Sequence, residues 1–127
     1  MEPGASCWNR IIVRQKFRQG DIVLVSLDPT VGKEIQGKRP VLILSNEEFN
    51  RNGTALIAAI TQGGNLDRVK GWAVSLMGSG SKTQGAVVVS QCRMVDLVAR
   101  EARLVETVSS EVIEDALAKL QAAIEPQ

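Results

Sequence analysis

The chain has no histidine and no tyrosine among its 127 residues, and aromatic residues make up only 3% of it. Histidine is the commonest general base and a usual zinc ligand, so its absence leaves catalysis to carboxylate, arginine, lysine, serine, threonine or cysteine side chains. The two cysteines, Cys7 and Cys92, are too few for a disulfide framework or a cysteine metal site. The sequence therefore predicts no cofactor and no bound metal.

Long apolar segments are also missing. No run approaches the length that a membrane-spanning helix needs, and the short run Ile11–Val13 has an arginine on each side, unlike a signal peptide. With 44% hydrophobic and 23% charged residues, the composition is typical of a soluble globular protein of one domain. Because the net charge is only +1, any nucleic-acid site has to be a local basic patch.

We divide the chain into an amino-terminal extension, residues 1–17, and one domain, residues 18–127. Pro3 and Gly4 argue against order at the start of the extension, and several arginines and lysines make this the most basic part of the chain. We expect it to be partly disordered. It is either a solubilising tail or an arm that contacts a phosphate backbone or a partner.

The sequence of the domain predicts a mainly β fold. Apolar, often β-branched segments bounded by turn residues predict six strands: Asp21–Leu27, Val41–Ser45, Ala55–Thr61, Trp72–Leu76, Gly85–Ser90 and Leu104–Val108. Short helical turns are predicted at Asn46–Asn50 and Met94–Ala99. A last helix, capped by Ser110, carries one apolar stripe: Ile113, Leu117, Leu120 and Ile124. The predicted architecture is a small, strongly bent antiparallel sheet or barrel with a packed C-terminal helix.

The longest polar connection, Asp28–Pro40, lies between the first two predicted strands. Its Asp-Pro start favours a turn, and Gly32 and Gly37 permit positive φ angles. A hairpin needs only a few loop residues, and long loops are often functional. The segment is therefore either an ordinary solvated loop or a loop that places a carboxylate, Glu34, beside a cationic anion-binding site.

Specific motifs occur in a fixed order along the chain: QGDIVLV at 19–25, DPT at 28–30, GKRPVLILS at 37–45, ITQGGN at 60–65, and then Gln91, Arg93 and Asp96. Over residues 18–124 this series resembles the MazF/PemK toxins of bacterial type II toxin–antitoxin systems, and the ChpB-type branch in particular. Each motif alone is weak, and their ordered combination is specific.

The resemblance implies an SH3-like barrel, a homodimer and a metal-independent endoribonuclease of the bacterial cytoplasm that cuts single-stranded RNA at short sequences. Such cleavage of messenger RNA would inhibit translation and growth. The resemblance also implies an acidic antitoxin of the MazE, PemI or ChpS kind, which masks the active surface and binds DNA together with the toxin.

Carried over by position, Arg39 falls on the family's catalytic arginine, Glu34 on the glutamate of the first long loop, and Thr61 on a catalytic threonine of one branch. A planar guanidinium can bind two phosphate oxygens at once, which suits Arg39. Glu34 is the first candidate for the base, and Thr61 can donate to a non-bridging phosphate oxygen. Further RNA contacts are predicted at Lys33, Lys38, Gln62, Lys82, Gln91 and Arg93.

The chain departs from the PemK pattern at three positions. Lys33 stands where PemK-type toxins have a histidine, Val88 where they have an arginine, and Ser90 where they have an aspartate that acts as the base. The PemK catalytic assignment therefore does not transfer, and the residue that takes the proton stays open. Lys33 is an alternative acid.

Structural roles compete with these assignments. Arg39 could form a plain salt bridge to Glu34, and Thr61 could serve only to start a turn. Gln91 and Arg93 could pin the short helical turn. Other features also have a structural alternative: Cys92 and Trp72 as core residues, and the flexible loop Ser79–Lys82 as a tether rather than the rim of an RNA groove.

Two other functions are alternatives to the ribonuclease. A CcdB-type gyrase poison shares this architecture, but those toxins depend on a C-terminal Trp-Gly-Ile, whereas this chain ends Ile-Glu-Pro-Gln. A catalytically inactive nucleic-acid-binding module is suggested by Val88 and Ser90. Cleavage of single-stranded RNA in EDTA, with a cyclic phosphate product, is expected of the ribonuclease alone.

Overall fold

The computed structural model describes residues 17–63 and 71–127. These residues form six strands and two helices: β1 (Asp21–Ser26), β2 (Lys38–Ile43), α1 (Glu47–Asn50), β3 (Ala55–Thr61), β4 (Ala73–Ser75), β5 (Ala86–Val95), β6 (Arg103–Thr107) and α2 (Ser110–Ile124). Neither helix is long and apolar enough to cross a membrane. The predicted extension lies outside the described residues apart from Phe17, so its boundary stays a prediction.

The strands make one antiparallel sheet in the order β4-β5-β3-β2-β1-β6. The central strand β2 pairs with β1 through Val41↔Val23 and with β3 through Val41↔Ala59. The prediction of a mainly β fold with a C-terminal helix is confirmed.

Both faces of the central sheet are buried. Along β2 and just beyond it, Leu42 and Leu44 belong to one apolar cluster, and Val41 and Ile43 belong to another. This is the alternation that a strand's period of two dictates, and it explains the continuous apolar run in the sequence. The first cluster is covered by α2 through residues that include Ala116.

The predicted helical turn at Met94–Ala99 begins too early. β5 continues to Val95, because Met94 and Val95 pair with Leu56 and Ala55 of β3. A turn follows only after Asp96, whose carboxylate Oδ1 accepts a hydrogen bond from the Ala99 amide at 2.9 Å. Pairing with a distant strand thus overrode the local signal.

Other boundaries also differ from the sequence predictions, most of them by one residue. β2 begins at Lys38, so the polar segment predicted to end at Pro40 already belongs to the sheet in its last residues. The N-cap of α2 is Ser109 rather than Ser110, which is the first helical residue. At α1 the predicted cap is confirmed, since the Asn46 side chain accepts from the Phe49 amide at 2.8 Å.

A carboxylate joins the two edges of the sheet. The β4–β5 loop, which leaves one edge strand, reaches Glu106 in the other edge strand, β6. Glu106 accepts hydrogen bonds from the Thr83 hydroxyl at 2.6 Å, the Thr83 amide at 2.7 Å and the Lys82 amide at 3.0 Å. Led by the Thr83 hydroxyl, these bonds lower the pKa of Glu106 below its ordinary value of 4.5. The loop that was predicted to be flexible is therefore held at its carboxyl-terminal end.

Glu106→Gln is expected to destabilise the fold by about 1 kcal/mol at neutral pH. The substitution replaces one of the two accepting oxygens by an amide nitrogen, which cannot accept a hydrogen bond. A carboxyl whose pKa is lowered on folding contributes its stability above the unfolded-state pKa and loses it as pH falls through the folded value. The difference in unfolding free energy between wild type and variant should therefore shrink in acid. Urea unfolding at neutral pH and well below pH 4.5 measures it.

Glu114→Gln is the matched control, since Glu114 is exposed on α2 and makes no ion pair or hydrogen bond through its side chain to the described residues. A Glu106→Gln difference that stays the same at both pH values would contradict the assigned role.

Candidate active site

Arg39 and Thr61 lie at the same end of two neighbouring strands. The pairing of β2 with β3 includes Val41↔Ala59, and two residues further along each strand are Arg39 and Thr61. Pro40 lies between Arg39 and Val41 and has no amide proton to donate. Its partner in the sheet is Leu24 of β1. The two residues that the sequence predicted as phosphate ligands therefore lie at the same end of neighbouring strands.

The Arg39 side chain is held on one side only. Its Nε donates to the carbonyl of Gln36 at 3.0 Å, and the residue is half-buried at the start of β2. Its two terminal amino groups form no hydrogen bond or ion pair with residues 17–63 or 71–127. The guanidinium is thus oriented by the protein while its outer edge can meet an oxyanion.

Glu34 lies in the loop before Arg39 but does not pair with it. One carboxylate oxygen, Oε1, accepts from the Val31 amide at 2.9 Å, which caps a turn of the exposed loop. Within the described residues the ion pairs are Arg18–Glu47, Arg51–Glu47 and Lys119–Asp115. The plain salt bridge considered from the sequence is not formed.

Gln91 fastens the β1–β2 loop to β5. Its side-chain oxygen accepts from the Ile35 amide at 3.1 Å, and its nitrogen donates to the Lys33 carbonyl at 3.4 Å. The sequence offered RNA binding or the pinning of a helical turn, and the structure shows instead a contact with the loop backbone. A role for Gln91 and for Lys33 in RNA binding stays a prediction.

A bulge in β5 places Gln91 there. Ala59 pairs with Val88, whereas the preceding residue of β3, Ala58, pairs with Cys92, so residues 89–91 have no partner in β3. Bulges re-aim side chains in this way. Val88, at the position of the family arginine, is only 2% exposed, while Ser90, at the position of the family base, is exposed.

Two arginines contact the backbone where β1 leaves the sheet. Arg93 donates to the Leu27 carbonyl at 3.0 Å, and Arg100 donates to the carbonyls of Ser26 at 2.9 Å and Asp28 at 2.8 Å. RNA binding by Arg93 stays a prediction. Arg100 was missed, because an arginine in a polar turn is indistinguishable by sequence from an ordinary surface charge.

The remaining predicted RNA contacts are spread out. Gln62 follows Thr61 and lines a groove of about 630 Å³ together with the β4–β5 loop, including Thr83 and Gln84. Lys38 is exposed at the start of β2. Lys82 is exposed, and its amide is bound to Glu106 on the far edge strand. The groove extends the site beyond Thr61.

The comparisons with known proteins assign the family. Residues 18–124 match the family described as PemK-like, MazF-like toxin of type II toxin–antitoxin systems. The chain therefore belongs to this family of toxins, as the motif series predicted.

Relatives agree over nearly the whole chain. The endoribonuclease toxin ChpB of Escherichia coli (strain K12) is 46% identical over 116 residues, which cover 91% of this chain and 100% of ChpB. Endoribonuclease PemK of Escherichia coli is 43% identical over 115 residues, 88% of this chain and 86% of PemK. The match with ChpB confirms the predicted branch.

Solved structures of the family share the fold. MazF from Deinococcus radiodurans has a TM-score of 0.77 at 22% identity, over 87% of this chain and 97% of that one. A chain of the MazE–MazF complex from the same organism has a TM-score of 0.72 at 21% identity, over 88% and 99% of the two chains. This likeness confirms the fold class.

Gly85 packs closely on the backbone of Thr61, and substitution of this glycine tests that contact. A Cβ built on Gly85, whose φ is 115°, would overlap the Thr61 carbonyl oxygen. Gly80 has a similar φ of 87° but no atom within 4 Å of its Cβ position. Gly80→Ala should cost about 1–2 kcal/mol from the left-handed backbone alone. Gly85→Ala should cost about 1–3 kcal/mol more, through overpacking.

Urea unfolding of both variants measures this difference, with Gly80→Ala as the matched control for backbone strain. Equal losses of stability would show that the carbonyl of Thr61 is not held against Gly85.

Proposed function

We propose that the protein is the toxin of a type II toxin–antitoxin system and a metal-independent, sequence-specific endoribonuclease that cuts single-stranded messenger RNA in the bacterial cytoplasm. The observation that carries this proposal is the Arg39 guanidinium, which is oriented by the Gln36 carbonyl and whose terminal amino groups have no hydrogen-bond partner among the described residues. The family match and the relatives named endoribonucleases support it.

RNA brings its own nucleophile to such a site. The 2′-hydroxyl attacks the adjacent phosphorus once its proton is removed, and the 5′-oxygen of the next nucleotide leaves with a proton. The products are a 2′,3′-cyclic phosphate and a 5′-hydroxyl. Arg39 would stabilise the negative charge that grows on the phosphate oxygens, and the Thr61 hydroxyl would donate to one of them.

In this proposal the proton goes to Glu34. Its Oε1 is bound to the Val31 amide, whereas its second oxygen has no hydrogen-bond partner among the described residues. Because the carboxylate is exposed in the loop that leads to Arg39, it can approach a bound phosphodiester. Lys33, the residue before Glu34 in the loop, is the candidate for the acid that protonates the leaving oxygen.

We also propose that the toxin is a homodimer. An apolar groove runs between β5 and the end of α2, lined by residues that include Cys92 and Leu120. At its rim Trp72 is 39% exposed and Ile124 is 73% exposed, which is costly for a monomer in water. Sedimentation that shows a monomer throughout the micromolar range would contradict this.

The proposed antitoxin is an acidic, partly disordered segment that folds on binding. Its carboxylates would compete with RNA phosphate for Arg39 and for the exposed Lys33 and Lys38. Association should then be fast and fall with added salt. Binding by the product of the adjacent operon gene that leaves RNA cleavage intact, or a rate that ignores salt, would contradict this account.

Arg39→Ala should lower the rate of RNA cleavage by about 100-fold or more, since one preorganised charge-stabilising donor has that value in related chemistry. Arg39→Lys should recover little, because an ammonium cannot contact two phosphate oxygens in a fixed plane. The assay is cleavage of single-stranded RNA in EDTA, with the 3′ ends tested for cyclic phosphate.

Arg51→Ala is the matched control, because Arg51 is exposed beyond α1 and its one ion pair with the described residues is to Glu47 at 3.9 Å. Near-normal cleavage by a folded Arg39→Ala protein would place the site elsewhere. Absence of cleavage by the wild type would favour the gyrase poison or the inactive binding module.

Glu34→Gln should also slow cleavage strongly if Glu34 takes the proton, because an amide is a far weaker base than a carboxylate. Thr61→Val should slow it less, since it removes one neutral hydrogen bond. Full activity of Glu34→Gln would transfer the role of base to Lys33 or to a water-mediated route.

A further inference from the structure

Three successive carbonyls at the end of β1 are bound by arginine side chains. The carbonyl of Leu27 accepts from Arg93, and those of its two neighbours, Ser26 and Asp28, both accept from Nη1 of Arg100. Leu27 and Asp28 lie beyond the last residue of β1, where the strand ladder no longer supplies donors. Two guanidinium groups thus donate the hydrogen bonds that a neighbouring strand would otherwise supply, at the point where the chain enters the β1–β2 loop.

Both arginines come from a rigid part of the fold. Arg93 lies in β5, paired through Ile57 of β3. Arg100 lies in a turn in which its own amide donates to the Asp96 carbonyl at 3.1 Å. In the same turn Leu97 is buried in the apolar cluster that also contains Leu27. The guanidinium groups are therefore anchored at both the backbone and the core.

The bound segment also fixes the start of β2. The Leu27 amide donates to the Gly37 carbonyl at 3.0 Å, and the Gly37 amide donates to the Asp28 carboxylate at 3.1 Å. Gly37 immediately precedes Lys38 and Arg39. Any shift of Leu27 and Asp28 is therefore transmitted through two hydrogen bonds to the backbone that carries Arg39.

We infer that Arg100, together with Arg93, is a positioning residue: the two guanidinium groups clamp the neck of the β1–β2 loop and so hold Arg39 and Glu34 in place for RNA cleavage. This inference rests on the proposed function for its effect on the reaction. It also reassigns Arg93, whose Nη1 is committed to the loop backbone, from contact with RNA to support of the loop.

A residue that positions the loop and a residue that attracts RNA should respond differently to substitution. A cation that only attracts RNA acts through its charge, so lysine should replace it and its loss should raise KM in a salt-dependent way. Arg100 binds both carbonyls through one nitrogen at the end of a side chain with a rigid planar head, and the flexible lysine side chain is one atom shorter, so its ammonium would not reach the same position. Loss of the Arg100 guanidinium should lower kcat, because displacement of a catalytic group by about 1 Å can cost about 100-fold in rate.

The test compares Arg100→Ala and Arg100→Lys with Arg103→Ala, a control in which an exposed arginine of β6 is removed from the neighbouring element. Both Arg100 variants should lose about 10- to 100-fold in kcat with KM changed less than about threefold. Hydrogen exchange should accelerate at the amides of Ile35 and Gly37, while the amide of Val41 in the core stays protected. The control should match the wild type in both measurements.

Several results would overturn the inference. Recovery of kcat by Arg100→Lys, or a loss confined to KM, would assign the residue to RNA attraction. Unchanged exchange at Ile35 and Gly37 would show that no clamp exists, whatever the cleavage rate. If Arg100→Ala does not fold, Arg93→Lys gives the same readouts.

Different results would contradict the proposed ribonuclease function and the proposed clamp. A wild-type protein that cleaves no RNA would overturn the proposed function and the catalytic part of this inference, while the exchange experiment still decides whether the clamp exists. Cleavage by the wild type with unchanged exchange in the variants would overturn the clamp alone.

Discussion

The attachment of the β1–β2 loop to β5 and the turn after it is the contact on which the rest of the site depends. The loop buries little of its own, with Ile35 packed against the second apolar cluster. Its backbone polar groups therefore need partners from elsewhere. Gln91, Arg93 and Arg100 supply them, all from residues more than fifty positions later in the chain. These bonds attach the β1–β2 loop to the sheet.

This arrangement suits a reaction in which the enzyme has little covalent chemistry to perform. RNA carries its own nucleophile, so the protein contributes orientation and charge. A sheet buried on both faces is a stiff support, and it sets Arg39 and Thr61 at the ends of adjacent strands. The loop adds Glu34 from one side, and the groove lined by Gln62 and the β4–β5 loop extends from the other.

Local patterns were enough to predict most of the fold. The β-branched runs predicted the strands, and the apolar stripe predicted α2. The full length of β5 and its bulge at residues 89–91 were not predicted, because both depend on pairing with the distant strand β3. At the site, the motif series pointed to Arg39, Glu34 and Thr61. Arg100 carried no signal, since only the folded chain brings it to the Ser26 and Asp28 carbonyls.

The central claim is that Arg39 is the group that binds the phosphate at which RNA is cut. The most direct measurement is a crystal structure with an RNA that contains the mapped cleavage sequence and a 2′-deoxy substitution at the attacking position. The account predicts both terminal nitrogens of Arg39 within hydrogen-bonding distance of oxygens on that phosphate, with the Thr61 hydroxyl on one of them. A scissile phosphate held by other residues, with Arg39 still bound only to the Gln36 carbonyl, would contradict it.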